Sequence, residues 1–235
     1  MEGIPVVEWD TKRVAGMIGS RAVARAQILI CIVGPRRHVA GSADPGDPMR
    51  GDVDAYVVAA FGLYGGPLMP RRLQNLLFLL SEDEPPVSDL LGYRSYHYGP
   101  FSGAVEESRL HLEGRGMICA PRGGSPAMSL TADGRALYGR ACGRIDGTAL
   151  LNLRAYCVLL NGMSHDEMLA LVSLAYPEMS AKSRKHMESQ DLKQSIVSLV
   201  EKEKITSHRG AELLDVPHIE IMNEICRNAQ KARAS

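Results

Sequence analysis

Apolar residues recur at helical spacing over two consecutive stretches that begin just after Asp52. In the first stretch they fall at i, i+3, i+4, i+7, i+8 and i+11, the pattern of one helix face, and they are Val53, Tyr56, Val57, Ala60, Phe61 and Tyr64. In the second stretch, which starts near Pro70, one face carries Leu73, Leu76, Leu77 and Leu80. Gly65-Gly66-Pro67 separates the two predicted helices, and the acidic run Ser81–Pro86 predicts a loop after the second.

A third helix is predicted after a turn at Gly99-Pro100. Ser102 is suited to cap this helix, because its hydroxyl can accept a hydrogen bond from a backbone amide of the first turn. The helix would run to about Glu113, with an inner face made of Phe101, Val105, Ser108 and Leu112.

A small hairpin and a further helix follow. Two short strands, Met117–Ala120 and Ala127–Leu130, flank the glycine-containing segment Pro121–Pro126. Thr131 can then cap a helix that continues through Leu137 and Tyr138. Three helices, a glycine-rich hairpin and another helix follow the order of a winged-helix domain, so we interpret the hairpin as the wing.

The rest of the chain is predicted to be helical. Thr148–Asn161 is strongly apolar, and Ser164 with Glu167 forms the sequence of a capping box that opens the next helix. Another helix is expected over Leu192–Val200.

The C-terminal segment is predicted to form a helix-turn-helix-like unit. A short helix bears Ala211 and Leu214, a tight turn occupies Asp215–Pro217, and a second helix bears Met222, Ile225 and Cys226. A small residue where two helices cross, followed by a short turn, is what this packing needs.

The fold class is therefore expected to be mainly α with a small β-hairpin wing. We predict an N-terminal appendage and linker at residues 1–50, a winged-helix domain at 51–147, a helical connector at 148–188 and the helix-turn-helix-like unit at 189–235. The boundary of the appendage rests on Gly41–Pro48, a run of helix breakers that is typical of a linker.

Composition favours a globular protein of a reducing compartment. Hydrophobic residues make up 45% and charged residues 23%, and five scattered cysteines form no Cys-x-x-Cys pair. The most apolar window, Ala22–Val33, is shorter than the roughly 20 residues of a membrane span and contains Arg25. Acidic Glu2, Glu8 and Asp10 occupy the place of a basic signal-peptide region. We therefore expect a cytoplasmic protein without a membrane partner.

Two parts of the chain resemble known families. Arg72–Leu80, Tyr98–Ser102 and the wing ending in Ser129–Arg135 resemble prokaryotic winged-helix proteins of the uncharacterised-regulator and Panacea (SocA-like) antitoxin type, over roughly residues 52–185. The C-terminal unit is similar to small antitoxin-like helix-turn-helix proteins with an Ala-x-Leu-Leu helix, although Asp215 stands where they have a turn glycine. These resemblances imply the fold and bring no catalytic residues.

Double-stranded DNA is the leading predicted partner because arginines concentrate around the winged helix. Residues 91–145 contain seven Arg against three Glu and one Asp. The third helix would enter the major groove and the wing would contact the backbone, as in other winged helices, which commonly act as dimers. The predicted DNA-binding residues are Arg71, Arg72, Ser102, Arg109, Arg115 and Arg122. The leading hypothesis is that the protein is a transcriptional regulator, which could act as a homodimer.

An antitoxin- or adaptor-like module that binds a protein is the alternative. The outer positions of the third helix include Gly103, Glu106, Arg109 and Glu113, and the carboxylates would repel phosphate. From position 207 to 228 the chain has two arginines against four acidic residues, so protein contact or packing suits the C-terminal unit better than DNA.

No enzymatic activity, cofactor or metal is expected. Ser102 and His97 could pair as nucleophile and base, but no Gly-x-Ser-x-Gly sequence surrounds the serine. The spacing of His208 and His218 matches no common zinc motif. Gly123-Gly124 lacks the Lys-Ser/Thr of a phosphate-binding loop.

The leucine stripe of the second helix gives a first test. Because its four leucines form an unbroken apolar face, we expect Leu77→Ala to lower the free energy of unfolding by about 2–5 kcal/mol. Urea denaturation measures the change. A loss below about 0.5 kcal/mol, the size of an ordinary surface substitution, would place the stripe on the surface.

Overall fold

The computed structural model of the chain describes residues 49–96, 99–121, 124–180 and 189–234. Predictions for residues 1–48, for His97 and for the wing-tip residue Arg122 therefore lie outside the described residues. The described part is mainly helical with small antiparallel hairpins, as the sequence predicts.

The helices and strands follow one another in a simple order. The elements of the first part are α1 (Asp52–Tyr64), α2 (Pro70–Asp83), α3 (Pro85–Leu91), β1 (Arg94–Tyr96), β2 (Gly99–Phe101), α4 (Gly103–Gly114), β3 (Ile118–Cys119), β4 (Ser129–Leu130) and α5 (Ala132–Arg144). The later elements are α6 (Gly147–Leu160), α7 (His165–Ala175), α8 (Pro177–Ser180), α9 (Ser189–Glu201), α10 (Ser207–Leu214) and α11 (His218–Ala234).

Helix α2 lies at the centre of the core. Its predicted stripe is confirmed, because Leu73, Leu76, Leu77 and Leu80 are all 0% exposed. Phe78 and Leu79, on other sides of the helix, are buried as well. The helix packs against α1, α3, α6 and β2. It is therefore surrounded on all sides, whereas the stripe alone suggested one inward face.

The predicted acidic loop at Ser81–Pro86 is wrong. Helix α2 continues to Asp83, and α3 begins at Pro85 directly after Glu84. Two effects favour the helical path. Ser81 is buried and donates its hydroxyl to the carbonyl of Phe78 at 2.7 Å. A proline in the first turn of a helix loses no hydrogen bond, because that amide has no helical partner.

Gly99-Pro100 is part of a strand instead of the predicted turn. Strands β1 and β2 pair antiparallel, with Arg94 opposite Phe101 and Tyr96 opposite Gly99. Gly99 has φ 107°, a conformation that side chains disfavour. With three residues each, these strands are too short to produce a readable alternation of polar and apolar positions.

The second hairpin is present and shorter than predicted. Strands β3 and β4 pair antiparallel, with Ile118 opposite Leu130. Leu68, between α1 and α2, adds a bridge to Met128 next to β4. The local order is therefore Leu68, β4, β3. The Thr131 cap is confirmed, since the hydroxyl accepts a hydrogen bond from Gly134 N at 3.1 Å.

A buried carboxylate ties the later helices to the core. The predicted capping box is confirmed, and Glu167 of this box also accepts hydrogen bonds from Ser198 Oγ and Lys202 Nζ, each at 2.6 Å. Burial by itself would raise the pKa of Glu167, but the hydrogen bonds from Lys202, Ser198 and the Ser164 amide lower it below its ordinary value. The carboxylate therefore joins the start of α7 to α9 in its charged form.

The turn of the C-terminal unit has the expected conformation. Asp215 is left-handed, with φ 52°, and it ends α10. Ile221 of α11 is fully buried, while Met222 and Cys226 are exposed. The contact between α10 and α11 therefore uses Ile221 and the partly buried Ile225. Of the three residues named from the sequence, Ile225 lies at this contact, whereas Met222 and Cys226 lie on the exposed side of α11.

Two glycines of α5 give a matched test of the packing between this helix and β3. A Cβ added at Gly134 would lie 2.0 Å from the carbonyl oxygen of Met117, whereas a Cβ at Gly139 meets nothing within 4 Å. We expect Gly134→Ala to lower the free energy of unfolding by more than about 1 kcal/mol. Gly139→Ala should raise it by about 0.4–1 kcal/mol, because alanine favours the helix. Urea denaturation of both variants checks this pair, and equal effects would contradict the close approach.

Candidate functional site

Ser102 is engaged inside the protein. It is 0% exposed, its hydroxyl donates to the carbonyl of Leu91, and the same oxygen accepts from Val105 N at 3.2 Å. The N-cap prediction is thereby confirmed. A fully buried hydroxyl with two hydrogen-bond partners positions α4. It has no exposed surface through which it could contact DNA.

Arg72 is also engaged within the chain. Its guanidinium donates to the carbonyl oxygens of Leu160 and Met163 at 2.5 and 2.6 Å, and to the Tyr64 hydroxyl at 3.1 Å. The two carbonyls belong to the end of α6 and the turn after it, where helix geometry leaves such groups without partners. Arg72 therefore fastens α2 to the α6–α7 turn.

Arg109 is held between two carboxylates of its own helix. It forms a two-point contact with Glu106, at 2.7 and 3.0 Å, and a further contact with Glu113 at 2.9 Å. The hydrogen bond to Glu106 is the main cause that raises the pKa of Arg109. The arginine closest to the predicted base-reading face is thus neutralised by its neighbours.

The remaining predicted contacts are Arg71, Arg115 and Arg122. Arg71 lies at the start of α2 and donates to His165 Nε2 at 2.7 Å. Burial, followed by the nearby Arg71 charge, lowers the pKa of His165, which favours the neutral ring that accepts this bond. Arg115 is exposed just after α4, and Arg122 lies outside the described residues. Of the described arginines, Arg71 and Arg72 therefore share the start of α2, while Arg109 lies on α4 and Arg115 just after it.

A concave surface of the described residues lies beside the β1–β2 pair. We call it the hairpin groove. Its volume is about 590 Å³, within the usual range of ligand-binding clefts. Three of its apolar side chains reach solvent: Met69 is 41% exposed, Tyr96 51% and Phe101 36%. The lining also includes Pro70, Arg71, Arg72, Gln74, Gly99, Pro100, Glu106, His165 and Met168.

The groove borders an acidic helix face. We call this the α4 face and define it by Glu106, Glu107, Leu110 and Glu113. Glu106 belongs to both surfaces, and Leu110 is 52% exposed between the glutamates. Glu107 is exposed and forms no ion pair among the described residues. A mostly apolar cleft, with Arg71 and Arg72 in its lining, therefore adjoins a helix face on which Arg109 pairs with two of the three glutamates. The face keeps a net negative charge because Glu107 is the third.

Sequence reasoning missed the hairpin groove. Phe101 was predicted to line the inner face of α4, yet its ring lies 5.4 Å from that of Tyr96 on the surface. The groove combines residues of α2, β1, β2, α4 and α7, and no short spacing along the chain indicates that combination. The acidic outer positions of α4, in contrast, were readable from helical periodicity.

The C-terminal unit holds a second polar cluster. The rings of His208 and His218 stack with centroids 4.1 Å apart, and His218 Nε2 lies 2.8 Å from Ser207 Oγ. In the part of the chain that the structure describes, no three His, Cys, Asp or Glu side chains are grouped in a way that could hold a metal ion. None of the described helices has the length and hydrophobicity of a membrane span.

Comparison with protein-family models and with curated proteins gives no match for this chain.

The position of Arg72 leads to a prediction about stability. Arg72→Ala should lower the free energy of unfolding by about 1–3 kcal/mol, because two carbonyls near the end of α6 lose their donor. Arg115→Ala, at an exposed position, should change it by less than about 0.5 kcal/mol. Thermal or urea unfolding of the two variants makes the comparison. Equal, small effects would mean that Arg72 does not fasten the helices.

Proposed function

We propose that this chain is a winged-helix interaction module that binds another protein through the hairpin groove and the α4 face. The observation that carries the proposal is the character of α4. The outward side of this helix presents Glu106, Glu107 and Glu113 around an exposed leucine, Leu110. A helix that enters the major groove needs donors and positive charge at these positions.

The winged-helix part of the proposal is supported by the arrangement of short strands. Leu68, between the first two helices, bridges to Met128, and β4 pairs with β3 across the loop. Helix α4 stands directly before this hairpin and contacts β3. A short strand between the first two helices, joined to a hairpin after the third, is the arrangement expected of a winged helix. In this chain α3 and the β1–β2 pair are inserted before α4, and we assign α4 to the place of the third helix.

DNA binding is the competing proposal. It is favoured by the exposed Arg115 beside the hairpin and by the arginine surplus of the sequence. It is disfavoured by the engagement of Ser102, Arg72 and Arg109 within the protein. Non-specific affinity for DNA depends on counterion release by unpaired cations, and the α4 face carries the opposite charge.

We assign no catalytic role to the module and place it in the cytoplasm. The cytoplasmic assignment is supported by the cysteines of the described residues, which are free thiols: Cys119, Cys142, Cys157 and Cys226. Free thiols are favoured in a reducing compartment.

A pair of charge insertions tests the proposal. Phe101→Asp places a carboxylate in the hairpin groove, and Leu90→Asp places one on α3, outside the groove, where the native residue has nearly the same exposure (37% against 36%). Tagged full-length proteins would be used to capture partners from the native cells. We expect a protein that the wild type and Leu90→Asp retain and that Phe101→Asp loses.

Calorimetry with the purified partner would then give the affinities. Phe101→Asp should weaken binding about tenfold or more, because burying an unpaired carboxylate costs upward of about 1.4 kcal/mol. Thermal melting shows that both variants are folded. Equal affinities for the two variants would contradict the proposed site, and nuclease-sensitive capture of DNA in place of a protein would favour the competing proposal.

A further inference from the structure

Another cavity of the described residues lies between the end of α1, strand β4 and helix α5. We call it the α1–β4 cavity. Its volume is about 490 Å³, within the usual range of ligand-binding clefts. None of the residues that line it belongs to the lining of the hairpin groove. The cavity is therefore a separate candidate site, which the proposed function does not use.

Most of the side chains around the cavity are apolar or aromatic. Phe61 of α1 and Leu130 of β4 are buried, with 3% and 8% exposure. Pro67 and Tyr138 of α5 line the cavity as well. Burial is the main cause that raises the pKa of Tyr138 to about 12, so its hydroxyl is uncharged at neutral pH. These walls suit the apolar body of a small ligand.

Three glycines form a wall without side chains at the end of α1. A Cβ added at Gly62 would lie 2.2 Å from the ring of Tyr138, so this ring can lie against α1 because position 62 has no side chain. Gly65 ends the helix in the left-handed conformation, with φ 71°, which glycine adopts without strain. At Gly65 and Gly66 an added Cβ would meet nothing within 4 Å. The open space of the cavity therefore reaches the backbone here.

Arg135 alone is charged among the described residues that line the cavity. Its guanidinium donates through Nη1 to the carbonyl of Leu130 at 2.8 Å, and this partner is neutral. Within the described part of the chain, Arg135 forms no ion pair. Its positive charge is therefore not cancelled by a neighbouring carboxylate, and a guanidinium has further N–H donors with which to bind an anion.

We propose that the α1–β4 cavity binds a small carboxylic acid whose apolar body is about the size of an aromatic ring. The guanidinium of Arg135 holds the carboxylate, and the apolar body lies against Phe61, Leu130 and Tyr138. The same orientation is favoured by α1, because the carbonyl end of a helix carries partial negative charge and repels an anion. A bound acid contacts both the end of α1 and the hairpin strand β4, and so joins the two elements.

Binding of three probe acids to the full-length protein tests the site: phenylacetate, indole-3-acetate and hexanoate. Ligands of this size are expected to bind with a Kd of about 0.1–1 mM, which an NMR titration of the backbone amide signals can measure. We expect at least one acid to saturate and to shift the signals of Gly62, Gly65 and Gly66, while Gly99 in the hairpin groove is unaffected. The corresponding amide of that acid, which has no charge, should bind at least about tenfold more weakly.

Two matched pairs of variants locate the bound acid. Arg135→Gln removes the charge of the cavity, and Arg115→Gln removes a charge at an exposed position outside it. Gly66→Val fills open space of the cavity, and Gly143→Val adds the same side chain at an exposed position of α5 where a Cβ meets nothing within 4 Å. We expect Arg135→Gln and Gly66→Val each to weaken binding of the acid about tenfold or more. The two controls should leave the affinity unchanged.

Thermal melting shows which variants are folded, and Gly66→Val keeps the test decisive if Arg135→Gln does not fold. Absence of saturable binding by all three acids overturns the proposal. Equal affinities of an acid and its amide, shifts confined to the hairpin groove, or an affinity indifferent to Arg135→Gln and Gly66→Val would each overturn it as well.

Discussion

The side-chain amide of Gln74 satisfies both backbone groups of Ser102, and the hairpin groove depends on this pair of hydrogen bonds. Gln74 donates to the Ser102 carbonyl at 3.1 Å and accepts from its amide at 3.0 Å, while only 5% of the glutamine is exposed. Ser102 separates β2 from α4, so its attachment to the buried helix α2 fixes both elements. A buried backbone group without a partner costs about 1–3 kcal/mol, which explains why a polar side chain is retained in this core.

Much of the fold could be predicted because its signals are local. The leucines of α2 and the caps formed by Ser102, Thr131 and Ser164 each depend on residues within one or two turns. The left-handed Asp215 was predictable for the same reason. The errors at Ser81–Pro86 and Gly99-Pro100 have one physical cause. Proline and glycine are compatible with a loop, a helix start or a strand, and the choice is made by distant contacts.

The candidate site was less predictable because charge counted along the chain does not give charge on a surface. The arginine surplus of residues 91–145 suggested a phosphate-binding region. In the folded chain, Arg109 is paired with two glutamates. Arg72 of α2 donates to backbone carbonyls that lie 88 and 91 residues further along the chain. What remains outward on α4 is mostly carboxylate. The groove itself depends on the meeting of five elements, which helical or strand periodicity does not encode.

The central claim is that the α4 face and the hairpin groove meet a protein and not a nucleic acid. Titration of the full-length protein into fluorescently labelled duplex, followed by anisotropy over a series of salt concentrations, tests it most directly. We predict no saturable binding even at the lowest salt. Saturable binding, with a log–log salt slope of several that falls by about 1 in Arg115→Ala, would contradict it.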